Sequence, residues 1–251
     1  MKFNKNKIVM IISYTLLSSI FLIGCSKVYS ETPTQVKSSE YTIEDKEEVI
    51  EETQEEKEYK SVMSLIEENK DNLTKLVNKD NPLKYNYKPD DLVKPNVNST
   101  KSNIYISNIC KNALETMFEE AKEDGINLYL ISGFRSSDYQ ARLYLNSLNR
   151  NGEQYTEKYV AKPNYSEHQT GLAVDISSKS NGYNLTYTFA DKKEGKWLKE
   201  NAHKYGFILR YPEDRVEDTG YGFEPWHFRY VGKEVATYIY EHNLILEDLF
   251  D

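Results

Sequence analysis

The sequence predicts an α+β fold, a small antiparallel sheet with helices packed on it. Helical and short strand-like segments mix along the chain without the regular βαβ rhythm of a parallel sheet, and no glycine-rich phosphate loop joins a strand to a helix. The 251 residues are 39% hydrophobic, enough to build a core for one domain of ordinary size. No internal repeat is present.

The elements are taken in chain order. Order is expected to begin with a short helix over Ser61 to Leu76. Val77 to Leu83 then looks like a strand entering a turn. The segment up to Val97 carries Pro82, Pro89 and Pro95 and should wrap the domain as an extended arm. Over Asn108 to Asp124 the apolar period is helical: Ile109, Ala113 and Met117 share one face, and Cys110, Leu114, Phe118 and Ala121 the adjoining one. Gly125 closes that helix. Asn127 to Ser132 is a strand. Ser137 to Arg150 is a helix closed by Asn151-Gly152. Leu172 to Ser177 is a strand, and Asp191 to Tyr205 a helix capped by Gly206. Phe207 to Tyr211 and Phe223 to Val231 are strands, and Lys233 to Asn243 is the last helix.

Charge and cysteine content narrow the function. The formal net charge is −8, the wrong sign for a nucleic-acid partner. The two cysteines, Cys25 and Cys110, are too few and too far apart for a disulfide framework or a C-x-x-C zinc site. Cys110 sits on an apolar helical stripe and should pack as a small hydrophobe. Tyrosine, at 21 residues, dominates the aromatics and suits a polar, hydrogen-bonded cleft.

The N-terminus reads as an address. Lys2, Lys5 and Lys7 precede an apolar stretch from Ile8 to Ile23, short for a membrane span and right for a secretory signal. It ends in Leu22-Ile23-Gly24-Cys25, which resembles a lipobox, with Cys25 as the lipidated residue. Residues 1–25 are thus expected to be a lipoprotein signal peptide that places the protein in the bacterial cell envelope, outside the cytoplasm. Residues 26–60 are expected to be a disordered or loosely helical acidic stalk, because ten carboxylates fall between Glu40 and Glu58 and repel one another. The catalytic domain is assigned to 61–251, as a monomer.

Two segments concentrate the chemistry: Ser166-Glu167-His168-Gln169-Thr170-Gly171-Leu172-Ala173-Val174-Asp175 and Glu224-Pro225-Trp226-His227. A catalytic zinc takes three protein ligands and keeps a position open. His168, Asp175 and His227 offer two imidazoles and one carboxylate. Strand alternation puts Leu172, Val174 and Ile176 on one face and Asp175 on the other, towards a polar cleft. The same rule puts His227 with Arg229 and Val231, away from Trp226, Phe228 and Tyr230. Glu224 could serve as the base for water, stiffened by Pro225. Arg135, at the end of a strand, could neutralise a developing oxyanion.

The pattern S-x-H-x-x-G-x-A-x-D followed by E-x-W-H resembles the zinc signature of the VanY-type D-Ala-D-Ala carboxypeptidases, whose wider superfamily includes lysostaphin-type endopeptidases and the hedgehog amino domain. Ser132-Gly133-Phe134-Arg135 and Trp197-Leu198 through Tyr205 to Pro212 also match, and the likeness runs from about Leu76 to Leu246. It implies one zinc ion held by His168, Asp175 and His227 in a cleft over the sheet, Glu224 as general base and Arg135 as the oxyanion-stabilising group. It suggests Ser166, and more weakly Gln140, as contacts to substrate. The implied reaction is removal of the C-terminal D-alanine from peptidoglycan stem peptides, with the L,D reaction on tetrapeptide stems as the alternative. A rival of another class is a zinc-stabilised peptidoglycan-binding module without turnover. The structural alternatives are also specific. Ser166 could cap a turn, Ser137-x-x-Gln140 could form a capping box, and His203 and His242 read as structural.

Overall fold

The computed structural model describes residues 52–250. The signal segment, Cys25 and the stalk up to Glu51 lie outside the described residues. Among those described, no helix is long and apolar enough to cross a membrane.

The first helix, α1 (Gln54–Asn69), starts earlier and ends sooner than the sequence predicts. The cause is a reciprocal cap. Thr53 Oγ1 accepts the Glu56 N–H at 3.2 Å, and the Glu56 carboxylate accepts the Thr53 N–H at 2.9 Å. Residues 54–60, assigned to the stalk from their charge, are therefore helical. The expected strand over Val77 to Leu83 is instead a turn. The Asn78 side-chain oxygen accepts the N–H groups of Asp80 and Asn81 at 3.1 and 3.0 Å, which satisfies the backbone without a partner strand. The proline-marked arm, expected to be extended, is broken by a turn in which the Tyr87 N–H donates to the Lys84 carbonyl and Asn86 takes φ +59°; beyond it β1 (Leu92–Val93) pairs antiparallel with β2 (Ile106–Ser107).

Ser107 caps α2 (Asn108–Glu123) by accepting the Ile109 N–H. The Cys110 stripe of α2 is buried as its spacing predicts, together with Met117, but Ile109 sits near the helix start and is exposed. Then come β3 (Tyr129–Ser132), α3 (Ser137–Asn151) and α4 (Glu153–Tyr159), a short helix not among the expected elements. They are followed by β4 (Ala173–Ser177), α5 (Lys193–Asn201), β5 (Phe207–Leu209), α6 (Val216–Thr219), β6 (His227–Tyr230) and α7 (Lys233–Glu241). The helix expected to reach Tyr205 changes to a 3-10 turn at Ala202, which Gly206 ends at φ +84°.

The main sheet is antiparallel throughout, in the order β3-β4-β6-β5. This is the small sheet of an α+β fold. The core between it and α2 gathers Leu114, Met117 and Phe118 with Leu130, Val174, Ile176 and Phe228. Alternation in β5 sends Phe207 into this core and Ile208 into a second one, formed with Ile66 of α1, Val235 and Ile239 of α7, and Leu246. The two strands with donor side chains, β4 and β6, are the inner pair. Asp175 and His227 stand directly opposite each other in register.

Candidate metal centre and catalytic cleft

The register of β4 and β6 brings two of the three expected ligands together, and a short 3-10 turn (Glu167–Thr170) brings the third. That turn ends at Gly171, whose φ of +74° is the left-handed conformation that favours glycine. A Cβ there would also press on the Ser107 backbone N at 3.0 Å. Donor atoms of His168, Asp175 and His227 lie within 4.8 Å of one another, all buried. The imidazole rings meet edge to face, with centroids 4.9 Å apart.

Which nitrogen of each ring faces the centre is decided from behind. The Gly133 carbonyl can only accept, and it lies 2.8 Å from His168 Nδ1. Nδ1 therefore carries the proton, and Nε2 presents a lone pair to Asp175 Oδ1 at 3.3 Å. Neither His168 Nε2 nor Asp175 Oδ1 has a hydrogen-bond partner. Two buried acceptors facing each other with nothing between them are costly, and a cation resolves the conflict. His227 is set the same way in mirror order. Its Nε2 lies 3.2 Å from Glu167 Oε2, and its Nδ1 turns to Asp175 Oδ1 at 3.4 Å. Two imidazoles, each steered by a further hydrogen bond, and one carboxylate fit a zinc ion.

Gly133 owes its position to its lack of a side chain, since a Cβ would collide with the Tyr105 carbonyl. Behind His227 lies a buried ion network. Glu167 Oε1 accepts from Arg210 Nε and Arg229 Nη1, both at 2.8 Å. The remaining Arg229 groups reach the carbonyls of Tyr230, Leu73 and Lys75. Burial alone would raise the pKa of Glu167, but the two guanidiniums hold it well below the usual carboxylate range. The imidazoles depart in opposite directions. Burial, helped by Arg135, lowers His168 to about 4. Burial also disfavours the cation of His227, but Asp175 and Glu167 raise its pKa to about 9.

Glu224 joins this group, with Oε2 3.6 Å from His227 Nδ1. Burial, reinforced by the Asp175 charge, pushes it up to about 7 against the pull of His227. Arg135 is anchored by its backbone, whose N–H donates to the His168 carbonyl at 3.1 Å. Its Nη2 lies 3.6 Å from Asp175 Oδ2, and its buried Nε has no partner. Gln140 forms no capping box. The α3 cap is Ser136, which accepts from Tyr139 N. Gln140 instead accepts from Arg135 Nη1 at 3.1 Å and donates to the Ala161 carbonyl at 2.8 Å. Ser166 makes no side-chain cap either, and it is buried on the cleft wall. His203 and His242 lie elsewhere, His203 stacked on Tyr240 and His242 tilted against Tyr238.

The cleft, about 560 Å³, holds the expected site residues other than Cys25. Tyr155, Tyr159, Tyr187, Tyr211 and Tyr221 line it, so five of the 21 tyrosines face this cleft. Glu167, Arg210 and Arg229 did not stand out in the sequence as site residues. The available signals were isolated charges inside apolar runs, as in Ile208-Leu209-Arg210-Tyr211, and the strand face that Arg229 shares with His227.

A family model described as VanY, D-alanyl-D-alanine carboxypeptidase, matches residues 103–233. The chain is 46% identical over 188 residues to the putative carboxypeptidase YodJ of Bacillus subtilis, covering 73% of this chain and 69% of that protein. Among solved structures it is similar to the LdcB LD-carboxypeptidase, at 46% identity and a TM-score of 0.66 over 70% of this chain and 84% of that one. It is also similar to the D,D-pentapeptidase VanY from a VanB-type resistance cassette, in complex with Zn(II). There the identity is 32% and the TM-score 0.60, over 71% of this chain and 98% of that one.

Proposed function

The chain belongs to the VanY D-alanyl-D-alanine carboxypeptidase family, and from that premise we propose that it is a zinc enzyme releasing the C-terminal D-alanine of peptidoglycan stem peptides. The observation that carries the reading is the set of three buried donors with unpartnered atoms at His168 and Asp175 and a carboxylate, Glu224, beside them. A binding module has no use for that carboxylate, whose costly burial is accounted for by a role in moving a proton.

His168, Asp175 and His227 hold the metal. When bound, zinc supplies a Lewis acid that polarises the scissile carbonyl and makes water a better nucleophile at neutral pH. Glu224, poised near 7 by burial, takes a proton from the attacking water and delivers it to the leaving amine. Arg135 turns its free Nε–H towards the oxygen on which negative charge develops, and Gln140 keeps the guanidinium from swinging away. Ser166, on the same wall, donates to the substrate terminus.

The proposed reaction is D,D-cleavage of pentapeptide stems, in keeping with the matched family. The 46% identity to the LdcB LD-carboxypeptidase, against 32% to VanY, favours a second reading, L,D-cleavage of tetrapeptide stems. Incubating the protein with tetra- and pentapeptide muropeptides, with and without a chelator, separates the two by product mass. Release from neither substrate at full metal loading would leave only the binding module. The lipobox at Cys25 supports a membrane-anchored enzyme acting outside the cytoplasm, and loss of membrane association in Cys25→Ser tests that.

A further inference from the structure

Glu247 lies in the 3-10 turn Leu246–Leu249 near the end of the described chain, yet it stands two side chains from His227. Its carboxylate accepts a fork from Arg210, Nη1 to Oε2 at 2.8 Å and Nη2 to Oε1 at 2.6 Å. The remaining Arg210 nitrogen, Nε, donates to Glu167 Oε1 at 2.8 Å. Arg229 Nη1 takes the same oxygen, so Glu167 Oε2 is left to His227 Nε2. Asn78 Nδ2 steadies Glu247 from the other side at 3.2 Å.

We infer that Glu247 is a positioning residue for the metal. A guanidinium freed from Glu247 would find its best remaining partner in Glu167 and would engage both oxygens at once, as arginine–carboxylate pairs prefer. That would take Oε2 from His227. The His227 ring would lose the acceptor that holds its proton on Nε2, and a proton on Nδ1 closes the lone pair that faces Asp175. Glu247 prevents this by occupying both Nη groups, so that Arg210 can offer Glu167 only Nε. The C-terminal turn thereby helps set the tautomer of a metal ligand. This inference rests on His227 being a zinc ligand, as proposed above.

The test measures zinc affinity of the full chain by competition with a chromogenic chelator, together with the visible spectrum of the cobalt-substituted protein. Glu247→Gln is expected to weaken zinc binding by about tenfold and to shift the cobalt bands, within the range typical for groups behind a metal ligand. Glu167→Gln should act in the same direction and at least as strongly. The control is Arg215→Ala, which removes the ion pair from Arg215 to Asp248 on the same turn at 2.7 Å without touching the Arg210 chain. It should lower the melting temperature and leave zinc affinity unchanged. Unaltered affinity in Glu247→Gln, or an equal loss in Arg215→Ala, overturns the inference and makes Glu247 a structural anchor only. Should Glu247→Gln fail to fold, Glu247→Asp decides by the same criterion, since its shorter stem breaks the fork. Failure of the wild type to hold stoichiometric zinc would sink the ligand assignment, and this inference with it.

Discussion

The two sides of the His227 ring are built on opposite principles. Behind it, Glu167, Arg210, Arg229 and Glu247 form a buried network rich in paired donors and acceptors. In front of it, His168 Nε2 and Asp175 Oδ1 are buried acceptors with no partner, and Glu224 is a carboxylate pushed towards neutrality. The rear is arranged for rigidity, and the front is left incomplete because a ligand completes it. The contrast teaches where in a fold to look for function: polar atoms that the protein has hidden from water without satisfying.

If this division is correct, substitutions on the two sides should fail in different ways. The largest effect belongs to the front. Glu224→Gln should lower turnover by about 10²–10⁴-fold, the share usual for a general base, while zinc content by atomic absorption stays stoichiometric. Activity near that of the wild type would remove Glu224 from the reaction. Next comes the rear. Arg229→Ala leaves a buried carboxylate and three carbonyls short of donors, and it should cost about 3–5 kcal/mol of stability in urea denaturation. A loss below about 1 kcal/mol would mean that water replaces the guanidinium there.

A smaller effect concerns the metal-free centre. Asp175→Asn removes the carboxylate that keeps His227 charged and faces Arg135, so the metal-free protein should lose about 1–3 kcal/mol while zinc binding falls steeply. Unchanged stability of the metal-free form would show that His227 does not rely on Asp175 without its ion. The last prediction is a stoichiometry. With its pKa raised to about 9, metal-free His227 is charged at pH 8, whereas His168, lowered to about 4, is neutral and Glu224, near 7, is largely ionised. Zinc needs His227 neutral, so binding at pH 8 should release close to one proton, read by calorimetry in buffers of different ionisation enthalpy. Release of none would place the His227 proton elsewhere.

The front was legible in the sequence because each of its residues is locally conspicuous. His168 and Asp175 flank a glycine that bends the chain, Glu224 and His227 share a short stiff segment, and strand alternation says which way Asp175 and His227 point. Gln140 shows where such reading stops. Its spacing from Ser137 imitates a capping box, but the backbone is already capped by Ser136, and Gln140 turns to Arg135 instead. The rear was nearly invisible, since Glu247 meets Arg210 only after the whole domain has closed. Local hydrogen bonds also moved element ends that periodicity set elsewhere, as Thr53 and Glu56 did for α1 and Asn78 did for the turn expected as a strand.

The pairing of Asp175 with His227 across β4 and β6 has a consequence for how the chain finds its native sheet. Slippage by a single residue would turn one of the two donors to the opposite face, so an ion bridging them rewards one alignment and penalises both neighbours. Metal capture would then proofread the strand pairing at the middle of the sheet, where an error would be hardest to undo.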